Sequence, residues 1–367
     1  MFDGVLARGR VAEAVADGAW LQAMLDAEAA LARARELPAE VVSAIAAACD
    51  ASRFDPHELA AAATGSGNPV VPLVAALRER LDGAAAEEVH RGATSQDILD
   101  TAAMLVVRDA RGPLREDLGA AADAAARLAR EHRATPMAGR TLLQQAVPTT
   151  FGLKAAGWAA GLDAADRALA AVPLAAQLGS PAGTLDGLAA DVLARYAREL
   201  GLEEPELPWH TERTRIAALA SALGMASGAI AKAAGDIVLL AQTEVGEVGE
   251  AAPGGSSSMP HKRNPVAAVS ARACARQAPG LVTTLLACME QEHERAAGAW
   301  HAEWAPLRSL LVSTGSAAAW LRDSLEGLRA DPERMRANVA RDDGLEGAVA
   351  SAAALVDRAL ARRDQPS

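Results

Sequence analysis

Apolar residues recur at helical spacing along most of this chain, and the breaks between those stretches are marked by Pro, Gly and Ser. From Gln96 to about Arg133 the pattern predicts one helix of roughly ten turns, with Pro113 a candidate kink. Residues 134–145 read as a break. A second long helix is predicted from about Pro148 to Gln177, a shorter one near 188–200, and a third long one over about 209–250. A fourth starts at Pro265 and a fifth runs from about Trp300 to Leu328. Before them, residues 7–82 read as several short helices separated at Pro38, at Asp55-Pro56 and over Gly65 to Pro69. After them, Asp331-Pro332 opens a last segment with room for one or two helices. The pattern divides the chain into an N-terminal helical domain (1–95), a central long-helix bundle domain (96–329) and a short C-terminal helical segment (330–367).

Helices this long belong to large helical assemblies, because ordinary globular helices average about three turns. Composition agrees: the chain is 51% hydrophobic but only 3% aromatic, so its core is built from Ala, Leu, Val and Ile. Ala-rich sequence favours helix over sheet and disfavours sandwiches, barrels and propellers. The expected fold is all-α, an elongated long-helix bundle. No strict heptad persists, yet small residues such as Gly224 and Gly228 allow close helix approach. A thin bundle standing alone leaves apolar stripes in water, so self-association as a homotetramer is expected. The stretch Ile216 to Ala231 is apolar nearly all round but too short to span a bilayer, and reads as a buried central helix.

The net charge of -11 argues against nucleic acid and against anionic membrane as partners. It leaves open a small anionic substrate held in a local cationic pocket. Cys49, Cys274 and Cys288 are scattered, with no metal-ligand spacing, and the first residues carry no apolar signal core. That reading implies a reducing, cytoplasmic setting and no metal.

The breaks carry the chemistry. In Gly254-Gly255-Ser256-Ser257-Ser258-Met259-Pro260-His261-Lys262-Arg263-Asn264-Pro265, backbone N–H groups, three hydroxyls and two cations can converge on one anion. Asn264 is the expected N-cap and Pro265 the first residue of the next helix, whose N-terminus favours anions. The bland alternative is a flexible linker before a capped helix. In His90-Arg91-Gly92-Ala93-Thr94-Ser95-Gln96-Asp97, Thr94 and Asp97 predict a capping box. A third break, Gly139-Arg140-Thr141-Leu142-Leu143-Gln144, and a helix start at Trp209-His210-Thr211 complete the set. The run Glu290 to Arg295 reads as a solvated turn without chemistry.

The serine loop resembles the signature of the fumarase/aspartase superfamily, and the two other breaks resemble its other signature regions, in order, over about residues 1–330. The resemblance implies that Ser256 is the catalytic acid/base. It implies that Thr94, Ser95, Thr141, Gln144, Ser257, Lys262 and Asn264 bind substrate, and that sites are shared among subunits. His90, Arg140 and His210 are further substrate-binding candidates, with an ordinary surface residue, a solvated loop charge and a helix start with surface charges as their respective alternatives. Leu142 departs from the pattern, since most of these lyases carry a histidine there. Leu142, together with His90-x-Gly92-Ala93-Thr94-Ser95 and Trp209-His210-Thr211, resembles the 3-carboxy-cis,cis-muconate cycloisomerase branch. That branch implies a cofactor-independent closure of a tricarboxylate to a lactone, in aromatic catabolism. An adenylosuccinate lyase-like C–N lyase and a non-catalytic helical protein stay open at this stage. The C-terminal segment is shorter than the resemblance leads one to expect.

Overall fold

The computed structural model describes residues 2–340 and 344–365. Seven helices come first: α1 (Asp3–Leu6), α2 (Arg10–Ala14), α3 (Asp17–Ala34), α4 (Ala39–Ala48), α5 (Pro56–Ala63), α6 (Val70–Arg78) and α7 (Gly83–Glu88). The bundle follows as α8 (Ser95–Glu131), the strands β1 (Pro136–Thr141) and β2 (Gln144–Thr150), α9 (Phe151–Ala170), α10 (Val192–Leu200), α11 (Thr214–Leu240) and β3 (Val248–Glu250). It ends with α12 (Val266–Ala275), α13 (Ala278–Ala287), α14 (Ala299–Glu326) and β4 (Leu328–Ala330). Helices α15 (Pro332–Ala337) and α16 (Leu345–Arg363) close the chain. The fold is an all-α bundle with two small antiparallel ribbons, β1–β2 and β3–β4.

Helix α8 runs through Pro113 for 37 residues, about 55 Å. It packs on α9, α14 and α3, and α11 lies against α9, α12 and α14. Helix directions follow from side-chain ties at the two ends. At the start of α8, Arg213 is buried between Asp100 (2.7 Å) and Glu303 of α14, and Trp300 Nε1 donates to Asp100 (3.0 Å). Helices α8, α11 and α14 therefore begin at one end. At the other end Glu250 beside β4 meets both the start of α12 and Ser324 near the end of α14. Helices α9 and α12–α13 return between the ends. The interior is mostly Ala and Leu, which keeps helix axes close. Helix α11 is apolar enough to cross a membrane by length and composition, but it is a core helix of the bundle.

Four expectations need correction. The break at 134–145 is part of a β-hairpin. The second long helix starts at Phe151, because Thr150 is its N-cap and accepts from Leu153 N (3.1 Å). The third is confined to 214–240, since the residues before it are pulled into tertiary bonds with α8 and α14. The fourth is two helices, with Pro279 in the first turn of the second.

Candidate active site

The start of α8 is organised by one buried carboxylate. The predicted capping box forms, with Thr94 N donating to Asp97 (2.9 Å). Asp97 also accepts from Gly179 N (2.9 Å), Ser180 N (3.1 Å) and His210 Nε2 (2.7 Å). Four donors on one acid stitch the 177–186 connection and the 209–213 segment to the helix N-terminus. Thr94 and Ser95 stay half-buried there, where free N–H groups and the helix dipole favour an anion. His210 is only 5% exposed and its ring engages Asp97, so it supports this end from behind. His90 sits in the left-handed region (φ 61°), with Nδ1 2.6 Å from Glu28. Burial pushes the imidazolium down, but the charge and hydrogen bond of Glu28 outweigh it and leave the His90 pKa raised. Gly92 holds a left-handed backbone (φ 85°) that any side chain there would strain. Arg295, read from sequence as solvated, donates to Gln96 (3.2 Å) and to Pro181 O (2.9 Å), adding a cation at this end.

At the opposite end the β1–β2 hairpin turns on Leu142 and Leu143, both left-handed (φ 52° and 64°) and 96% and 76% exposed. Such a two-residue turn normally takes Asn-Gly, and each bulky residue in it costs about 1 kcal/mol or more. Thr141 and Gln144 flank the turn and are exposed. Arg140 is different from these neighbours. It makes a bidentate pair with Glu247 (3.0 and 2.7 Å), a fully buried acid that Asn338 also meets (2.9 Å). The pair anchors the base of the hairpin.

The serine loop is a closed lasso beside that hairpin's end of the bundle. Gly254 and Asn264 exchange backbone hydrogen bonds (2.9 and 3.0 Å), and Asn264 Nδ2 adds one to Gly255 O (3.2 Å). Only glycine fits at 254, where a Cβ would lie 2.0 Å from Val266. Inside the lasso, Ser256 Oγ accepts from Met259 N (3.1 Å) and Ser258 N (3.4 Å). Ser257, Lys262 and Arg263 are exposed on it. The expectation that Asn264 caps α12 is corrected. Glu250 takes that place, accepting from Ala267 N (3.1 Å), Ala268 N (2.9 Å) and Ser324 (2.7 Å). The α12 N-terminus is thus already neutralised, and any anion bound by the loop must use the lasso's own donors. Glu250→Ala is expected to lower stability by about 1–2 kcal/mol, read as a fall in the unfolding midpoint. An unchanged midpoint would mean that the cap contributes nothing.

The candidates therefore fall into two groups at opposite ends of the bundle, tied to Trp300 near the start of α14 and to Ser324 near its end. His90, Thr94, Ser95 and His210 lie at one end. Arg140, Thr141, Gln144, Ser256, Ser257, Lys262 and Asn264 lie at the other. Neither group alone holds both an anion-binding helix start and the serine. The cysteines supply no nucleophile: burial pushes the Cys49 thiol up to about 12 and that of Cys274 up to about 11.

Comparison with known proteins agrees with this architecture. A family model described as lyase matches residues 7–280. A protein of Bradyrhizobium diazoefficiens named 3-carboxy-cis,cis-muconate cycloisomerase is 50% identical over 358 residues, 93% of this chain and 79% of that protein. A protein of Streptomyces davaonensis named nitrosuccinate lyase is 49% identical over 352 residues, 90% of this chain and 74% of that one. The crystal structure of the 3-carboxy-cis,cis-muconate lactonizing enzyme from Pseudomonas putida superposes with a TM-score of 0.88 at 39% identity, covering 100% of this chain and 88% of that one. With an all-α bundle, its serine loop and a family match across most of its length, the chain belongs to the lyase family of the fumarase/aspartase superfamily.

Proposed function

We propose that this protein is a 3-carboxy-cis,cis-muconate cycloisomerase, closing that tricarboxylate reversibly to 4-carboxymuconolactone. The observation that carries the reading is Leu142, an apolar residue at an exposed hairpin tip where, by the resemblance, most of these lyases carry a histidine able to protonate a basic leaving group. The similar proteins from Bradyrhizobium and two Pseudomonas species that bear this name, at 43–50% identity, support it.

In closure, one substrate carboxylate oxygen forms a bond to an alkene carbon. The electron pair of the C=C bond moves to the neighbouring carbon and into its carboxylate, giving an aci-carboxylate. A proton from Ser256 then completes the addition and the resulting alkoxide regains one from water; in reverse, Ser256 first gives its proton to water and then, as alkoxide, takes the proton from carbon. Lys262, Ser257 and the lasso's N–H groups bind the charge that develops. Thr94, Ser95 and His90 hold a second carboxylate at the start of α8. Thr141 and Gln144 close on the substrate from the hairpin. No metal or organic cofactor takes part in this scheme.

Because these groups stand at opposite ends of the bundle in one chain, the working site combines several copies. Exposed Met225 and Leu239 on α11, Val269 on α12 and Leu286 on α13 are the apolar stripes that association would bury. Light scattering at micromolar concentration is expected to give four times the chain mass. Mixing an inactive Ser256→Ala variant with an inactive His90→Asn variant should restore part of the turnover in hybrids. A stable, active monomer would overturn the shared site.

An ultraviolet assay of 3-carboxymuconate, adenylosuccinate, argininosuccinate, fumarate and nitrosuccinate side by side tests the reaction. Turnover of the first is the expected result. Nitrosuccinate belongs in the set because nitrite, like carboxylate, departs as a weakly basic anion and would place the same small demand on position 142. Turnover of nitrosuccinate alone would replace lactonisation with nitrite elimination.

A further inference from the structure

Glu28 is a buried acid that the mechanism above leaves unused. It lies on α3 among Leu25, Ala27, Ala29 and Leu31 and is 2% exposed. Taking an ionised carboxylate out of water costs several kcal/mol unless it is well paired. Only Oε1 has a partner, His90 Nδ1 at 2.6 Å, while Oε2 is buried with none among the described residues. An acid so incompletely satisfied is a poor stabiliser of α3, and an apolar residue would pack better there. The chain also accepts a left-handed backbone at His90, a conformation a non-glycine residue adopts only at a cost. Two unfavourable features meet in one hydrogen bond, five residues before the start of α8.

We propose that Glu28 is a positioning residue for His90: it grips Nδ1–H and so orients the ring, leaving Nε2 to meet a carboxylate at the start of α8. This rests on the assignment of that helix start as a carboxylate site. His90 Nε2 makes no hydrogen bond to the described residues, so it is available. The titratable groups around the pair come from four elements. Asp97 of α8 reinforces the cation, and Arg78 of α6 opposes it while donating to Val89 O (2.9 Å). Tyr196 of α10 and Cys49 at the end of α4 are kept neutral by burial, so neither competes with Glu28 as the charged partner. The sign is then fixed. His90 carries its charge below its raised pKa and loses it above, so anion binding should weaken as pH rises through that value. Without Glu28, burial dominates and the charge is lost at lower pH.

Glu28→Gln keeps the side chain's shape and removes the charge. In protein carrying 13C-labelled histidine, the His90 resonance is the one of seven missing from His90→Asn. Its titration midpoint is expected to fall by about one pH unit or more in Glu28→Gln. The KM for 3-carboxymuconate should begin to rise at correspondingly lower pH, with kcat at low pH little changed. In the His90→Asn background, which lacks turnover, Glu28→Gln should have no further effect on the pH profile of lactone binding read by calorimetry. A merely structural Glu28 would instead lower stability and activity at all pH values alike. An unshifted His90 titration overturns the pairing, and a shifted titration with an unmoved KM profile overturns its role in binding. Should the wild type fail to turn over 3-carboxymuconate, that counts against the reaction proposed above, whereas the titration still judges the pair.

Discussion

Replacing Ser256 with alanine is expected to lower turnover by about two to four orders of magnitude while leaving KM nearly unchanged, as for loss of a general acid/base. A free serine hydroxyl is far too weak an acid or base at neutral pH to move a proton in each cycle. What distinguishes Ser256 is the pair of N–H groups, from Met259 and Ser258, already directed at its Oγ. They stabilise the alkoxide more than the alcohol and so bring the proton transfer within reach. The helix behind the loop gives little help, because Glu250 has already filled its N-terminus. The cationic share of the task falls to Lys262, exposed on the same lasso. Lys262→Ala should therefore damage KM as well as kcat, since that charge meets a carboxylate in the ground state and the aci-carboxylate afterwards. Near-normal turnover in Ser256→Ala, in protein of unchanged assembly and helicity, would move the proton transfer to the opposite end of the bundle, where His90 is the next group able to perform it.

These roles divide sharply by how visible they were in the sequence. The serine lasso and the α8 capping box are local devices, written in consecutive residues, and both form where their spacing places them. The long helices were legible for the same reason, since an apolar stripe repeats within one element. The hairpin is not legible in the sequence because Leu142-Leu143 is the wrong chemistry for its turn, and a helix-rich neighbourhood hides a six-residue strand. Glu250 and Glu28 were invisible because their partners lie 18 and 62 residues away and no motif links them. Arg140 and His210 look like substrate contacts in a linear reading. Only the fold reveals Glu247 and Asp97 as the acids that occupy them.

The wild-type protein is expected to close and open the lactone and to cleave adenylosuccinate poorly or not at all, with the difference residing in Leu142. Expelling an amine requires a proton on the leaving nitrogen, and a positioned acid contributes roughly two to four orders of magnitude to such a step. Read in the elimination direction, the lactone expels a carboxylate, whose conjugate acid has a pKa of about 4, so at neutral pH it departs as a stable anion. An acid at position 142 would add little to that step. Leu142 stands at the tip of the hairpin, almost wholly exposed in one chain and held in a left-handed turn. An apolar tip of this kind gains by closing on the carbon skeleton of a substrate bound by another copy. Leu142→His is a clean test, because histidine tolerates the left-handed region better than leucine and the hairpin should survive the change. The variant is expected to run the lactone reaction no faster, and more slowly if the imidazole is buried against the substrate without a partner. Efficient adenylosuccinate cleavage by the wild type, or a large gain in lactone turnover in Leu142→His, would show that the leaving group does not explain this residue.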